Sequence, residues 1–233
     1  MNEKPHPGND FPGRWKKDKA TLAERAYQEI RHRILHGEIE AGFIGSTRQL
    51  ARELGIGFGP VRDALRRLES ECFVTIAPRR GWILRGRSLR DVLDLFEIRQ
   101  VLEELVVRRL VGRLTERQIA IAEASIRQHR EVLATGQPPS RALVPDFQFH
   151  RHLASFQGNR FLEVFVNNLL DQLFPEVYLA HGKAPVRASA AAEEHEALLR
   201  ALEEGRKTDG IRLIRSHLRR CRKFVLARGR SLP

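Results

Sequence analysis

Residues 60–69 have the sequence PVRDALRRLE, and this stretch decides the fold of the first third of the chain. Its apolar residues recur at the three- and four-residue spacing of one helical face, which predicts a short helix. The buried stripe of that helix would consist of Val61, Ala64, Leu65 and Leu68. Pro60 suits the helix start because its missing N–H is unpaired there anyway, and Gly59 would then be the N-cap. Burial of the stripe leaves four residues pointing outward, namely Arg62, Asp63, Arg66 and Arg67.

Two helices are predicted before this stretch and a hairpin after it. The pairs Thr21–Glu24 and Ser46–Gln49 have the spacing of capping boxes, each at the start of a helix. Two short β-like runs, 73–77 and 82–85, flank a basic turn. Three short helices followed by a basic-tipped hairpin predict a winged helix-turn-helix over residues 19–87. Its third helix, positively charged outside, is suited to the major groove of DNA.

The rest of the chain is predicted to be helical throughout. Ser88 and Asp91 can cap a long helix, and further helical patterns cover residues 115–136, 145–157, 160–181, 187–204 and 208–228. Residues 88–230 contain no convincing strand pattern, so six helices around one core predict an all-α bundle. The fold class is therefore mainly α, with a winged helix-turn-helix first and a helical bundle second. Residues 1–18, rich in proline, glycine and charge, are predicted to be a disordered tail.

The charge balance favours a polyanionic partner. The 233-residue chain has a formal net charge of +12, and residues 19–90 carry +6 of it. No apolar run approaches the ~20 residues that a membrane span needs. The first residues also lack the apolar core of a secretory signal. We therefore expect a cytoplasmic protein without a membrane partner.

The first unit resembles the GntR family of bacterial regulators. The resemblance covers about residues 20–86 and rests on residues 48–55 together with residues 60–69. It implies a double-stranded DNA operator, with contacts to bases or adjacent phosphates from Arg48 and Arg62. It also implies that the wing tip, Arg80-Gly81, approaches the minor groove. Arg66 points outward on the same helix and is a further candidate, although a local ion pair with Glu69 is the alternative.

The chain departs from that family just before Pro60. Gly57-Phe58-Gly59 stands where most members have Ser-Arg-Thr, so the phosphate and base contacts that the resemblance implies for those residues are missing. Phe58 is either an apolar wedge against DNA or a packed turn residue. Cys72 stands where a glycine is expected after the third helix, at a position that often has a left-handed backbone.

The second unit resembles the FadR-type C-terminal domain, called FCD, over about residues 90–225. The resemblance rests on residues 95–103, 146–150, 158–159, 194–196 and 216–218. Many members bind a divalent metal through one Asp and three His, and the matching positions here are Asp146, His150, His195 and His217. Such a ligand set suits Zn, Ni, Co, Mn or Fe.

The spacing of these residues agrees with a common site. Asp146 and His150 are four residues apart, so one helix presents both to the same side. Pro145 leaves two alternatives, because either the helix starts there or it kinks and moves both ligands. Arg99 matches a family arginine on the pocket side, where a guanidinium can accept a small carboxylate effector. The alternative for Arg99 is an intrahelical pair with Glu103.

These features predict a ligand-responsive transcriptional regulator and not an enzyme. The expected protein is a homodimeric DNA-binding regulator, a repressor in the favoured interpretation, that senses a small organic acid through its metal-holding domain. One alternative is a metal-dependent hydrolase, although the chain has no His-Glu-x-x-His motif. The other is a non-specific nucleic-acid-binding protein, which the altered turn before Pro60 leaves open.

Overall fold

A computed structural model of the chain describes residues 20–35, 37–78, 80–181 and 185–229. The predicted tail, 1–18, lies outside the described residues. No helix in the described ranges is both long and apolar enough to cross a membrane.

The first unit contains three helices and a small sheet, and we call it the winged unit. In chain order its elements are α1 (Leu22–Leu35), β1 (Ile44–Gly45), α2 (Thr47–Leu54), α3 (Phe58–Ser70), β2 (Val74–Ala77) and β3 (Gly81–Leu84). The sheet is antiparallel with the order β1-β3-β2, so the predicted hairpin gains a third strand. The predicted stripe of α3 is buried, and it packs with Ile30 of α1 and Trp82 of β3.

The start of α3 differs from the sequence prediction. The helix begins at Phe58, and its N-cap is Gly57 rather than Gly59. Pro60 is therefore the third helical residue, still within the first turn, where a proline leaves no intrahelical hydrogen bond unmade. The capping box predicted at Ser46 is also not formed, since the Ser46 side chain makes no cap hydrogen bond.

The end of α3 contains a strained residue. Cys72 is exposed and has a φ of 62°, and the N–H of Phe73 reaches the carbonyl of Leu68 at 2.9 Å. This is the helix ending at which glycine is preferred, because a Cβ is unfavourable in the left-handed conformation.

We therefore expect Cys72→Gly to raise the free energy of unfolding by about 1 kcal/mol. Cys72→Ala keeps the Cβ and should give no such gain. Urea unfolding of the two variants measures the difference, and equal stabilities would contradict this explanation.

The second unit contains six helices and a short 3-10 helix, and we call it the helical unit. Its elements are α4 (Leu89–Leu110), α5 (Glu116–Ala134), the 3-10 helix (Pro139–Ala142), α6 (Leu143–Phe156), α7 (Arg160–His181), α8 (Pro185–Glu203) and α9 (Lys207–Gly229). The capping boxes at Ser88 and Thr115 are both formed. Because α6 begins two residues before Pro145, the proline lies in its first turn and does not separate the predicted ligands.

One apolar surface remains outside the core of the helical unit. Leu105 of α4 is 43% exposed, and further large apolar side chains of α4 and α7 are exposed as well. We call the set the apolar patch; it consists of Ile98, Val101, Leu105, Phe161, Val164 and Phe165. Helices α4 and α7 run antiparallel, because Arg87 and Arg109 hydrogen-bond the carbonyls of Gln172 and Gln157, respectively. The exposed residues of the two helices therefore lie at similar levels along the pair.

Candidate metal centre and DNA-facing surface

The four predicted metal ligands meet inside the helical unit. Asp146 and His150 come from α6, His195 from α8 and His217 from α9, and none is more than 6% exposed. The Nε2 atoms of His150 and His195 are 3.2 Å apart. One nitrogen from each of the three histidines lies within 4.8 Å of the others. Asp146 Oδ1 is 3.7 Å from His195 Nε2, so the carboxylate borders the same space.

Carboxylates orient two of these histidines from behind. His150 Nδ1 lies 2.6 Å from Glu103 Oε2, and His217 Nδ1 lies 2.7 Å from Glu194 Oε2. A carboxylate that accepts the Nδ1–H fixes the tautomer in which Nε2 is free to bind a cation. His195 is held differently, since its ring stacks on Phe149 with the centroids 4.3 Å apart.

Arginines keep the orienting carboxylates charged. Burial alone would raise the pKa of Glu103, but the charges of Arg99 and His150 lower it to about 2. Burial likewise acts against the charged form of Glu194, whose pKa is nevertheless lowered by hydrogen bonds from His217 and Arg187. Both side chains therefore remain acceptors throughout the neutral range.

His195 and His217 are biased toward the neutral form. Burial lowers the pKa of His195 well below its usual value, and the neighbouring His217 and His150 add to the effect. Burial also lowers the pKa of His217, against the opposing hydrogen bond to Glu194. Since a metal binds the neutral imidazole, these rings lose little by deprotonation on metal binding.

His129 of α5 was left out of the sequence prediction, yet it borders the cluster. It is 1% exposed, and its Nδ1 is 3.9 Å from Asp146 Oδ1. His129, Asp146 and His195 form a second set whose ligand atoms lie within 4.8 Å of one another. A signal was present in the sequence, because Ala122, Ser125 and Ile126 place His129 on the buried stripe of α5.

Arg99 is buried beside the cluster and forms the alternative contact predicted for it. The side chain is 1% exposed, and its Nε donates to Glu103 Oε1 at 2.5 Å. The guanidinium carbon is 5.4 Å from the centre of the Phe147 ring. Its Nη2 has no hydrogen-bond partner in the described part of the chain. The pair with Glu103 therefore leaves one donor of this arginine unused.

The predicted DNA-contacting side chains lie on the surface of the winged unit. Arg48, Arg62, Arg66 and Arg80 are all exposed. Glu69 accepts the Ile76 N–H at 2.7 Å, and no pair between Arg66 and Glu69 is formed among the described residues. Gly81 approaches β1 so closely that a Cβ would lie 2.1 Å from the Gly45 oxygen. Packing against β1 therefore requires glycine at this position, whether or not the wing tip contacts DNA.

Arg67 is held by its own domain through several contacts, whereas Arg62 has one pair among the described residues, with Asp63 at 3.5 Å. Its guanidinium lies 3.6 Å above the Tyr27 ring and pairs with Glu24 and Glu71 at 2.8 and 3.1 Å. These contacts attach α3 to α1 and engage the Arg67 guanidinium within the protein, although its side chain is as exposed as that of Arg62.

An ion network joins the two units. Asp171 of α7 is 6% exposed and accepts hydrogen bonds from Arg31 of α1 and Arg151 of α6. The Arg31 Nε lies 3.0 Å from the carboxylate. Arg151 directly follows His150 in the chain, so the helix that carries two of the clustered residues is linked to the winged unit through one carboxylate.

Comparison with known proteins matches both units to families. Residues 22–84 match "Bacterial regulatory proteins, gntR family". Residues 94–220 match the "FCD domain", and this match alone covers more than half of the chain. HTH-type regulator YdhC of Bacillus subtilis, whose function is uncharacterised, is 23% identical over 208 residues, covering 88% of this chain and 92% of that protein. The gluconate operon transcriptional repressor of Bacillus licheniformis is 27% identical over 159 residues, covering 68% of this chain and 64% of that one.

Solved structures have the same fold. Escherichia coli McbR/YncC superposes with a TM-score of 0.79 at 19% identity, over 90% of this chain and 99% of that one. A GntR regulator from a Rhodococcus species gives a TM-score of 0.74 at 17% identity, over 88% of this chain and 97% of that one. At this level of identity, the likeness extends to the arrangement of helices and wing.

Proposed function

The chain belongs to the GntR family of bacterial regulators and carries an FCD domain. We propose that it binds an operator and regulates transcription in response to a small organic acid, which binds at a metal ion held by the helical unit. The observation that carries this proposal is the convergence of His150, His195 and His217, with Asp146 beside His195, inside a unit that is linked to α1 of the winged unit through Asp171. The chain is a transcriptional regulator and not an enzyme, so the hydrolase alternative is dropped. A DNA regulator of a bacterium acts at the chromosome, which favours the cytoplasm.

The donor set fits a divalent metal. Three imidazoles with a neighbouring carboxylate suit Zn, and also Ni, Co, Mn or Fe. The carboxylates behind His150 and His217 are the orienting groups that metal-bound histidines commonly have. When bound, the metal would supply a positive centre for an anionic ligand. Arg99, with one unused donor, lies beside that centre and suits a small carboxylate.

Zn²⁺ is the first metal to test. After removal of bound metal with a chelator, Zn²⁺ at about 100 times its Kd should raise the Tm by about 5–10 °C, because it binds only the folded chain. At the same Zn²⁺ concentration, His150→Ala should lower the Zn²⁺ affinity at least about tenfold and therefore lose at least about half of this shift. His152→Ala is the matched control, since its Nδ1 contacts Ser125 at 3.1 Å instead of the cluster. An equal shift in wild type and His150→Ala would exclude the proposed site.

The apolar patch supports a homodimer. Six large apolar side chains on two adjacent helices are exposed, and a second copy of the chain would cover them. A two-fold dimer also suits operator reading, because each recognition helix contacts few base pairs and two symmetric half-sites double the information.

Phe165→Asp should weaken this dimer. The Phe165 ring is 62% exposed in the single chain, so an acid there disturbs the fold little but would be buried at the interface. We expect the dimer dissociation constant to rise at least about tenfold in sedimentation equilibrium. Leu22→Asp, at a 49% exposed apolar residue of α1 outside the patch, is the control. If Phe165→Asp and wild type had the same mass at all concentrations, another surface would form the dimer.

Selection of binding sites from a random duplex library tests the regulator itself. We expect enrichment of a sequence with two-fold symmetry, with half-sites about one helical turn apart. A library that remains random after selection at physiological salt would favour the non-specific nucleic-acid-binding alternative.

A further inference from the structure

We infer that Phe58 reads thymine, by packing its ring against the C5 methyl group of one thymine in each half-site of the operator. The inference rests on the proposed function and names a specificity-determining contact within it. Phe58 is the first residue of α3 and is 47% exposed. The packed-turn alternative from the sequence therefore accounts for only about half of its surface.

Phe58 begins the row of side chains that would face DNA. Residues 58, 62 and 66 are each four apart on α3, so they lie along one face of the helix. Arg62 and Arg66, the other members of the row, are exposed and basic. Recognition helices contact base edges with their N-terminal residues, which is where this ring lies.

Of the two glycines that flank Phe58, Gly57 is the N-cap of α3, a position at which glycine is common, whereas Gly59 has no such role. A Cβ at Gly59 would meet nothing within 4 Å, and one at Gly57 would meet only the Pro60 ring at 3.7 Å. Neither glycine has a positive φ, so the backbone does not require them. Because neither neighbour has a side chain, the phenyl ring of Phe58 projects without flanking groups, which permits a close approach to DNA.

The chemistry of the ring selects the base. Phe58 can neither donate nor accept a hydrogen bond, and the thymine methyl is the apolar group that base edges present in the major groove. Insertion of the ring between base pairs is characteristic of minor-groove binding, whereas the row of Phe58, Arg62 and Arg66 belongs to a helix suited to the major groove.

The test removes the methyl group and nothing else. In the selected site, each thymine is replaced in turn by deoxyuridine, symmetrically in both half-sites, and binding of full-length protein is measured by fluorescence anisotropy. For wild type we expect one position at which deoxyuridine weakens binding about fifteenfold, which is about fourfold per half-site for one methyl group. Phe58→Ala should bind the thymine and deoxyuridine duplexes equally, and Phe58→Leu should keep a reduced preference. Phe43→Ala, at an equally exposed phenylalanine beside Trp82, should keep the full preference.

Two results would overturn the inference: wild type insensitive to every deoxyuridine replacement, or Phe58→Ala with an undiminished penalty. A melting curve for each variant establishes that it is folded. If no sequence is enriched in the first place, the proposed function fails; if a sequence is enriched but the methyl groups do not matter, only the reading by Phe58 fails.

Discussion

Arg62→Ala is expected to abolish sequence-specific DNA binding while leaving the protein folded. The side chain of Arg62 is 48% exposed in the middle of the exposed row of α3, and its closest acidic partner is Asp63 at 3.5 Å. A guanidinium that pairs with a base contributes about 1–3 kcal/mol, and a dimer uses it twice. The loss in operator affinity should therefore be at least about 30-fold.

The measurement is the ratio of affinities for the selected operator and an unrelated duplex at one fixed salt concentration. Arg90→Ala is the matched control, because it removes the same charge from a side chain that is 80% exposed on α4. It should weaken binding to both duplexes slightly and leave the ratio unchanged. An unaltered ratio in Arg62→Ala would mean that another side chain reads the operator.

Asp171→Asn is expected to lower the free energy of unfolding by about 3 kcal/mol. The change leaves Arg31 and Arg151 without their shared counter-charge in a largely buried place, and an unpaired buried charge is costly. Urea unfolding measures the loss. Asp94→Asn, at a 50% exposed carboxylate paired with Arg90, is the control and should stay within about 0.5 kcal/mol of wild type.

The same variant tests how the two units communicate. Asp171 is the carboxylate between α1 and the helix that carries His150, so its loss should uncouple metal binding from DNA binding. We expect Asp171→Asn to keep its Zn²⁺-induced rise in Tm while Zn²⁺ no longer changes operator affinity. A stability equal to that of wild type, or an unchanged effect of Zn²⁺ on DNA, would contradict a linking role.

Local signals in the sequence located most elements of the fold. The predicted bounds of α7 agree with the structure because Asn159 caps the helix, accepting the N–H groups of Phe161 and Leu162 at 3.0 and 3.2 Å. The start of α3 was wrong because Pro60 suits several positions of a first turn, and the flanking glycines gave no contrary signal. The two-residue strand β1 was missed, since so short a strand has no pattern of its own and exists through its pairing with β3.

The surroundings of the candidate site were harder to predict. The family resemblance supplied three histidines that converge and an aspartate that lies beside one of them, but it gave no reason to add His129. Glu194 orients His217, which lies 23 residues later in the chain, and only the packing of α8 on α9 brings them together. The exposure of Leu105 was not predictable, because an apolar side chain on a helix gives the same sequence pattern whether its own fold or a second copy covers it.

The position of α7 has a geometric consequence for the operator. This helix of 22 residues, about 33 Å long, carries half of the apolar patch near its start and Asp171 further along. If the apolar patch forms the dimer, α7 starts near the two-fold axis and each winged unit is attached further along that helix, at Asp171. A change in the tilt of α7 would alter the distance between the two winged units. A ligand that causes this tilt would then change which half-site spacing the dimer prefers. Operators lengthened or shortened by one base pair would then rank differently with and without it.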